Sequence, residues 1–314
     1  MRVTVIVAAY NVAKLIGRAL ESVRSQTFKD WEIIVVDDAS TDGTPFIVHG
    51  MAEVDRRIRL ICQEQNRGPA AARNRAIAEA RGEWVAVLDA DDAWLPERLE
   101  RLLAVANRTG ANFVADNLIL FDEHLRRESG VAFDVAEETI PFTSTVMFSM
   151  ENPWEYGILK PLIRRDLLVD GGACYKESLR FGEDFLLTAE LLFRGARGVL
   201  TGAGYYLYTT PVGHLSRQRS SGTRSTTSLE SLMWITEVLA TRYQEQITPE
   251  IARGLARARQ RIRQRLVARE ITRLREERSI PELTAFLVSH PRGALRYLVT
   301  SRVWNRAFGG RMAG

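Results

Sequence analysis

The sequence has few cysteines and lacks any long apolar run. Its only two cysteines, Cys62 and Cys174, are too few for a disulfide framework. Cys62 ends the apolar segment 58–62, so we expect a buried, unreactive thiol there. No run of about 18 apolar residues is present, which predicts no transmembrane helix. The short apolar N-terminal stretch is followed at once by Asn11 and Lys14, unlike a signal peptide. We therefore expect a cytoplasmic protein in a reducing compartment.

The composition is that of an ordinary globular protein with a real core, at 46% hydrophobic and 26% charged residues. A length of 314 residues suits one large α/β domain with an appendage. The net charge is +4, and arginines crowd residues 251–278. The basic surplus is therefore local, and it raises nucleic acid and anionic membranes as candidate partners.

The first third of the sequence alternates between two hydrophobic periods. Continuous apolar segments predict strands buried on both faces, and they cover residues 3–9, 31–36, 57–62 and 84–88. Apolar positions at helical spacing separate them, at residues 13–26, 42–53 and 69–81. This alternation predicts a parallel sheet with helices on both faces. Ligands of such sheets bind at the carboxyl ends of the strands.

The next part of the sequence continues the α/β pattern. Helical spacing predicts helices at residues 96–106 and 185–194, and apolar segments predict strands at residues 111–121 and 202–210. Residues 122–151 are mixed and polar, and no element is assigned to them.

Beyond this region the sequence becomes helical and basic. Residues 216–228 have the Ser, Thr, Gly and Arg composition of a loop. We predict a catalytic domain at residues 1–225, with a nucleotide-binding half at 1–110 and an acceptor half at 111–225. A basic helical extension follows at residues 226–314.

Carboxylates cluster at the ends of two predicted strands, at residues 37–38 (Asp-Asp) and 89–92 (Asp-Ala-Asp-Asp). Like charges this close raise one another's pKa unless a cation lies among them. A divalent metal with oxygen ligands neutralises such a cluster and can bridge phosphates. Capping of the following helix is the alternative for both clusters, although it needs only one acid of the second.

Two further segments carry candidate functional groups. In residues 66–74 a Gly-Pro turn leads into a helix of small residues, and Arg73 lies one turn in, within reach of a phosphate. An ordinary alanine-packed helix is the alternative. Gly182 precedes Glu183 and Asp184, which either complement a helix dipole or deprotonate an acceptor hydroxyl.

In this order, these segments resemble the motif series of family 2 inverting glycosyltransferases with a GT-A fold. The resemblance includes residues 5–11 (Val-Ile-Val-Ala-Ala-Tyr-Asn) and 42–44 (Asp-Gly-Thr), and it covers roughly residues 1–225. Residues 156–165 and 208–213 resemble more narrowly the bacterial exopolysaccharide (succinoglycan-type) transferases. The resemblance implies a Rossmann-like, mostly parallel sheet sandwiched by helices, with a C-terminal helical extension.

The resemblance also implies roles on the donor side, where a nucleotide sugar binds. Ala9 and Tyr10 would line the base pocket, and Asp38 would hydrogen-bond a uracil or thymine base. Arg73 would lie near the base or the diphosphate, and Asp89 would face the ribose or the donor sugar. The donor side is completed by Asn11, Asn66 and Ala90.

The metal and acceptor sides follow from the same resemblance. Asp91 would bind Mn²⁺ or Mg²⁺, and Asp92 would support the metal or contact the sugar. Asp184 would be the catalytic base that deprotonates the acceptor hydroxyl as it attacks the anomeric carbon. Nucleoside diphosphate would leave from the opposite face, so that the configuration inverts. The acceptor side consists of Glu183, Lys160 and Trp154.

One part of the sequence departs from the processive polysaccharide synthases. Their Gln-x-x-Arg-Trp signature is absent, and residues 216–221 (Ser-Arg-Gln-Arg-Ser-Ser) follow the last predicted strand instead. Arg217 or Arg219 would clamp the diphosphate, and His214 would assist at the metal. A solvated basic loop is the alternative. The missing signature favours a transferase that adds a single sugar.

The basic extension has two interpretations. It is either a helical cap with a solvated face, or an interfacial segment that binds anionic lipid on the inner face of the cell membrane. The second suits an acceptor carried on a lipid diphosphate, whereas a saccharide acceptor needs no membrane.

Three other classes of protein are alternatives to this interpretation. A nucleic-acid-binding protein would use the basic extension but leaves the carboxylate clusters unexplained, so we expect no nucleic acid. A nucleotidyltransferase would need a glycine-rich, basic phosphate loop, and residues 8–11 (Ala-Ala-Tyr-Asn) are not one. A non-catalytic sugar-binding homologue is unsupported, since every expected carboxylate is present.

Overall fold

The computed structural model describes residues 2–122, 126–135, 139–149, 153–179, 181–210 and 228–291. The strands in these ranges are β1 (Val3–Ala9), β2 (Trp31–Asp37), β3 (Ile58–Cys62), β4 (Trp84–Val87), β5 (Ala93–Trp94), β6 (Phe113–Asp122), β7 (Arg127–Val131), β8 (Thr139–Phe142), β9 (Leu162–Arg164) and β10 (Gly198–Thr210). The helices are α1 (Ile16–Arg24), α2 (Thr44–Val54), α3 (Pro69–Glu79), α4 (Arg98–Thr109), α5 (Ser144–Ser149), α6 (Arg165–Val169), α7 (Glu183–Phe193), α8 (Leu229–Arg242), α9 (Pro249–Glu276) and α10 (Ile280–Ser289). A 3₁₀-helix spans Pro153–Ile158.

The first four strands form the parallel half of one sheet, in the order β3-β2-β1-β4. Val3 of β1 pairs with Trp31 of β2 on one side and with Trp84 of β4 on the other. Every residue of β2 is buried, as a strand covered by helices on both faces requires. The α/β class is therefore confirmed, and the parallel order brings the ends of β1, β2 and β4 to one edge.

The second half of the sheet is mixed, although the longest ladders of the sheet, β1 with β2 and β6 with β10, are parallel as expected. Among the described strands, four pairs are parallel and five are antiparallel. Strand β9 runs antiparallel between β4 and β6, and β5 and β8 run antiparallel to β10. Strands β5, β8 and β9 have only two to four residues each. Such short strands show no hydrophobic period from which the sequence could predict them.

The residues without an assigned element, 122–151, contribute β7, β8 and α5 to the structure. Strand β7 is exposed and pairs antiparallel with β6, and β8 lies beside the start of β10. Strand β10 begins at Gly198, four residues before the predicted start at 202, because its first residues pair with both β6 and β8.

The C-terminal helices pack on the catalytic half through buried side chains. Leu232 and Ile235 of α8 belong to the same hydrophobic core as the sheet. At Gly254 of α9 an added Cβ would lie 2.1 Å from the carbonyl oxygen of Phe148, so α9 approaches α5 closely. The domain boundary near residue 226 stays a prediction. Among the described helices, none has both the length and the apolar character needed to cross a membrane.

The expectation of a buried thiol at Cys62 is wrong, because its side chain is exposed. Cys62 ends β3, and β3 lies at the edge of the sheet, where no further strand covers it. Only Ile58 of this strand is buried, and its middle residues are half-buried, so an apolar run at a sheet edge does not imply burial of every residue in it.

Candidate active site

A cavity of about 560 Å³ opens where β1, β2 and β4 end and α7 begins. Many of the predicted site residues meet in it, although they are far apart in sequence. The cavity is lined by residues predicted for the donor and metal sides (Ala9, Tyr10, Asp38, Asn66, Asp89 and Asp91) and for the acceptor side (Trp154, Lys160, Glu183 and Asp184). Of the other predicted residues, Arg73, Ala90 and Asp92 are buried outside this lining, Asn11 is exposed, and His214, Arg217 and Arg219 lie outside the described residues.

Asp38 organises the loop before α3 at one end of the cavity. One carboxylate oxygen accepts hydrogen bonds from the Gln63 amide at 2.7 Å and the Arg67 backbone N–H at 2.8 Å, and the other accepts from the Gly68 N–H at 2.7 Å. Gly68 has φ = 90°, a left-handed conformation that favours glycine. Asp38 therefore holds the turn before α3, and its hydrogen bond to a base stays a prediction.

Asn11 also stabilises this end of the cavity, through hydrogen bonds to the turn after β2. Its φ is 51°, and its side-chain oxygen accepts a hydrogen bond from the Thr41 N–H at 2.8 Å. Its own N–H donates to the Ser40 hydroxyl at 2.9 Å. The loop after β1 is thereby tied to the turn after β2, and Tyr10 is left 39% exposed at the mouth of the cavity.

The acidic loop after β4 brings three carboxylates together. Oxygen atoms of Asp89, Asp91 and Asp92 lie within 4.8 Å of one another. Burial, and then the Asp89 charge, raise the pKa of Asp91 to about 6. Burial and both neighbouring carboxylates raise the pKa of Asp92 well above its ordinary value. A set of hard oxygen ligands whose charges oppose one another suits a divalent cation.

Asp92 is buried beneath this loop and is held at both oxygens. It accepts a hydrogen bond from the Tyr206 hydroxyl at 2.7 Å and another from the Thr209 N–H at 2.8 Å. The Tyr206 oxygen in turn accepts from the Asp89 N–H at 3.0 Å. The sequence shows an aromatic strand here, but no pattern in it points to these contacts.

Arg73 and Lys160 join the acidic loop to the start of α7. Arg73 lies 2.8 Å from Asp89 and 3.2 Å from Asp184, and Lys160 lies 3.0 Å from each of them. Both cations are almost fully buried, with side chains 7% and 4% exposed. We call Arg73, Asp89, Lys160 and Asp184 the ion ring. It places the predicted base beside the predicted donor residues, although Arg73 and Asp184 are 111 residues apart.

The pKa values in the ion ring follow from these pairs. Burial acts to raise the pKa of Asp89, but the Lys160 and Arg73 cations hold it well below its usual range. Burial acts to lower the pKa of Lys160, but the Asp184 and Asp89 carboxylates raise it above its ordinary value. Arg73, Asp89 and Lys160 are therefore charged at neutral pH, as in a buried network whose members neutralise one another.

The N-terminus of α7 depends on Gly182 and on its contact with α8, which no pattern in the sequence indicates. Gly182 has φ = 87°, and an added Cβ would lie 2.8 Å from a side-chain carbon of Ile235 in α8. Leu232 of the same helix lines the cavity. Opposite it, Trp154 packs on Phe185 with ring centroids 4.3 Å apart. Trp154, Phe185 and Leu232 thus contribute apolar surface to the cavity lining, and Leu232 comes from α8.

Comparisons with known proteins agree with this geometry. The family model described as "Glycosyl transferase family 2" matches residues 4–157. The putative teichuronic acid biosynthesis glycosyltransferase TuaG of Bacillus subtilis is 34% identical over 173 residues, which cover 52% of this chain and 69% of TuaG. The chain belongs to glycosyltransferase family 2. This membership confirms the resemblance drawn from the ordered motifs.

Other family 2 relatives and solved structures extend the comparison. The succinoglycan biosynthesis protein ExoO of Rhizobium meliloti is 40% identical over 221 residues, covering 68% of this chain and 62% of ExoO. The chain thus spans about 60% of the length of the first curated relatives it matches. The crystal structure of S. aureus TarS 1–349 in complex with UDP-GlcNAc has a TM-score of 0.64 at 21% identity, covering 93% of this chain and 92% of that one. The GT-A fold is thereby confirmed.

Proposed function

We propose that the protein transfers a sugar from a uridine diphosphate donor to a saccharide or a lipid-diphosphate-linked saccharide, with inversion, in bacterial polysaccharide biosynthesis. The observation that carries the proposal is the ion ring, in which Asp184 and Asp89 of the acidic loop share the cations of Arg73 and Lys160 at the wall of one cavity. The names of TuaG and ExoO refer to polysaccharides. Family membership favours this transfer over the nucleotidyltransferase and the nucleic-acid-binding protein.

The donor would lie along the ends of β1, β2 and β4. Ala9 and Tyr10 line the cavity where the base would bind, and Asn66 and Asp38 line it nearby. The diphosphate would extend toward the acidic loop, where Asp91 lines the cavity.

The carboxylates of the acidic loop fit a divalent cation by their chemistry and spacing. Asp91 would hold Mn²⁺ or Mg²⁺, with His214 as a candidate further ligand. When bound, the cation would supply positive charge to the donor diphosphate as it leaves. Asp92, held by Tyr206 and Thr209, would keep the loop in place.

Asp184 would act on the acceptor side as the general base. Its two oxygens contact Arg73 and Lys160, so an acceptor hydroxyl must share or replace one of these contacts before it gives up its proton. The acceptor sugar would lie between Trp154 and Leu232, whose apolar surfaces suit the C–H face of a sugar ring. Glu183 stays beside the base, where it contacts Arg73 at 3.3 Å.

The proposal is tested with a panel of nucleotide sugars and Mn²⁺, by measuring release of the nucleoside diphosphate and binding by calorimetry. We expect turnover of a uridine diphosphate sugar that stops when the metal is chelated. Asp184→Asn should abolish transfer and leave donor binding nearly intact, whereas Asp170→Asn, at an exposed site, should change neither. Failure of every uridine diphosphate sugar to bind or turn over would refute the donor assignment, and loss of donor binding in Asp184→Asn would refute the base role.

We further propose that α9 and α10 contact anionic lipid at the inner face of the cell membrane. Arg263 and Arg265 of α9 are exposed, and so are Ile280 and Val288 of α10, at 72% and 76%. Exposed basic groups on one helix and exposed apolar groups on the next suit an interfacial segment.

Truncation near residue 228 is a poor test of membrane binding, because α8 belongs to the catalytic core. We expect Arg263→Gln/Arg265→Gln to reduce co-sedimentation with phosphatidylglycerol vesicles. The matched control, Arg101→Gln/Arg108→Gln on exposed positions of α4, should bind like the wild type. Equal binding by both double variants would refute the proposal.

A further inference from the structure

Arg18 of α1 contacts the acidic loop, although it belongs to none of the motifs. Its guanidinium donates to the backbone carbonyl of Asp91 at 2.6 Å and to the hydroxyl of Thr209 at 2.6 Å. The same group lies 5.7 Å from the ring centroid of Phe121. One side chain therefore joins α1, the acidic loop, β10 and β6.

The two hydrogen bonds of Arg18 reach both sides of the carboxylate cluster. Asp91 offers its side chain to the cavity while its carbonyl is held from behind by Arg18. Thr209, the other acceptor of Arg18, donates its own N–H to Asp92 at 2.8 Å. The orientation of Asp91 and the position of Asp92 thus depend on one guanidinium.

The loop needs such support because its carboxylates repel one another. Oxygens of Asp89, Asp91 and Asp92 lie within 4.8 Å, and a free loop would relieve the repulsion by turning the side chains apart. Within the loop, the Asp92 N–H donates to the Asp89 carbonyl at 3.1 Å. A planar guanidinium that donates to two oxygens at once adds a fixed geometry and a positive charge.

We propose that Arg18 is a positioning residue, which holds the acidic loop in the conformation that receives the divalent cation and the donor diphosphate. The inference rests on the proposed function, since it requires that the loop binds metal. Arg18 acts through Asp91 and Asp92 and contacts neither the sugar nor the acceptor. Groups that orient metal ligands from behind commonly change metal affinity by about 10- to 100-fold when they are removed.

The experiment measures binding of Mn²⁺ to the full-length protein by calorimetry in the presence of saturating UDP. We expect Arg18→Gln to weaken Mn²⁺ binding about tenfold, with a melting temperature in the absence of metal close to that of the wild type. Thr209→Val removes only the hydroxyl acceptor and should weaken Mn²⁺ binding by a smaller factor. Arg24→Gln, on the same helix but paired with Glu21 at the surface, is the matched control and should bind like the wild type.

Each outcome decides a separate point. Wild-type affinity in Arg18→Gln, or an equal loss in Arg24→Gln, would overturn the role of Arg18 while leaving the metal site intact. If Arg18→Gln does not fold, Thr209→Val decides, and unchanged Mn²⁺ affinity in that variant overturns the inference. If the wild-type protein binds no Mn²⁺ in the presence of UDP, the metal part of the proposed function fails and this inference fails with it.

Discussion

Replacing Lys160 by methionine tests the energetics of the ion ring. Methionine keeps the length and apolar volume of the side chain but removes the cation that contacts Asp89 and Asp184 at 3.0 Å each. Both carboxylates then share Arg73 alone. Breaking a buried ion pair by removing one partner costs about 3–5 kcal/mol. The two aspartate side chains are 24% and 19% exposed, so water relieves part of the cost and we expect the lower end, about 3 kcal/mol.

The assay is chemical denaturation of the metal-free protein, supported by thermal unfolding, in which a loss of about 3 kcal/mol lowers the melting temperature by roughly 5 °C. Lys176→Met, at an exposed position, is the control and should change the free energy of unfolding by less than about 0.5 kcal/mol. Adding Asp184→Asn to Lys160→Met should recover part of the loss, because the second change removes the carboxylate left without its lysine. A loss below about 1 kcal/mol in Lys160→Met, or strict additivity in the double variant, would refute the coupling inferred from the ring.

Three further predictions concern the groups around the acidic loop and α7. Gly182→Ala should reduce both stability and transfer, because the residue has φ = 87° and a Cβ would lie 2.8 Å from a carbon of α8; unfolding and activity measurements equal to wild type would contradict this. Burial, with the Asp89 charge, raises the pKa of Asp91 to about 6, so this proposed metal ligand is protonated below that pH, and Mn²⁺ affinity measured by calorimetry should fall about tenfold per unit below pH 6. A Mn²⁺ affinity that stays constant between pH 7 and pH 5 would count against this role of Asp91. Tyr206→Phe removes the hydroxyl that bonds to Asp92 and to the Asp89 N–H and should cost about 1–3 kcal/mol of stability, whereas a neutral result in denaturation would show that water replaces it.

Several features of this protein follow from local patterns in the sequence. Continuous apolar segments predict β1 and β2, since strands covered on both faces need no polar alternation. The Gly-Pro pair predicts the start of α3, which the structure begins at Pro69. The acids after β2 and β4 lie at one edge of the sheet because parallel strands end there. The ordered spacing of these segments carried the family resemblance.

Other features depend on which elements become neighbours. Strand β9 inserts antiparallel into the sheet, but its three residues are too few to show a hydrophobic period in the sequence. The burial of Asp92 under Tyr206 joins residues 114 apart, and the cavity wall formed by Leu232 comes from a helix that the sequence marks only as part of a basic extension. Cys62 has an apolar context but lies exposed at the sheet edge.

The acidic cluster and the candidate base were visible in the sequence by themselves, because residue type and spacing along a strand or a helix report local chemistry. The ion ring was decided only by the tertiary structure. Lys160 and Arg73 neutralise Asp89 and Asp184 because the order of strands in the sheet brings β4, β9, α3 and α7 to one cavity. Charge pairing over such separations depends on distance in space, and distance in space is set by packing that no local pattern encodes.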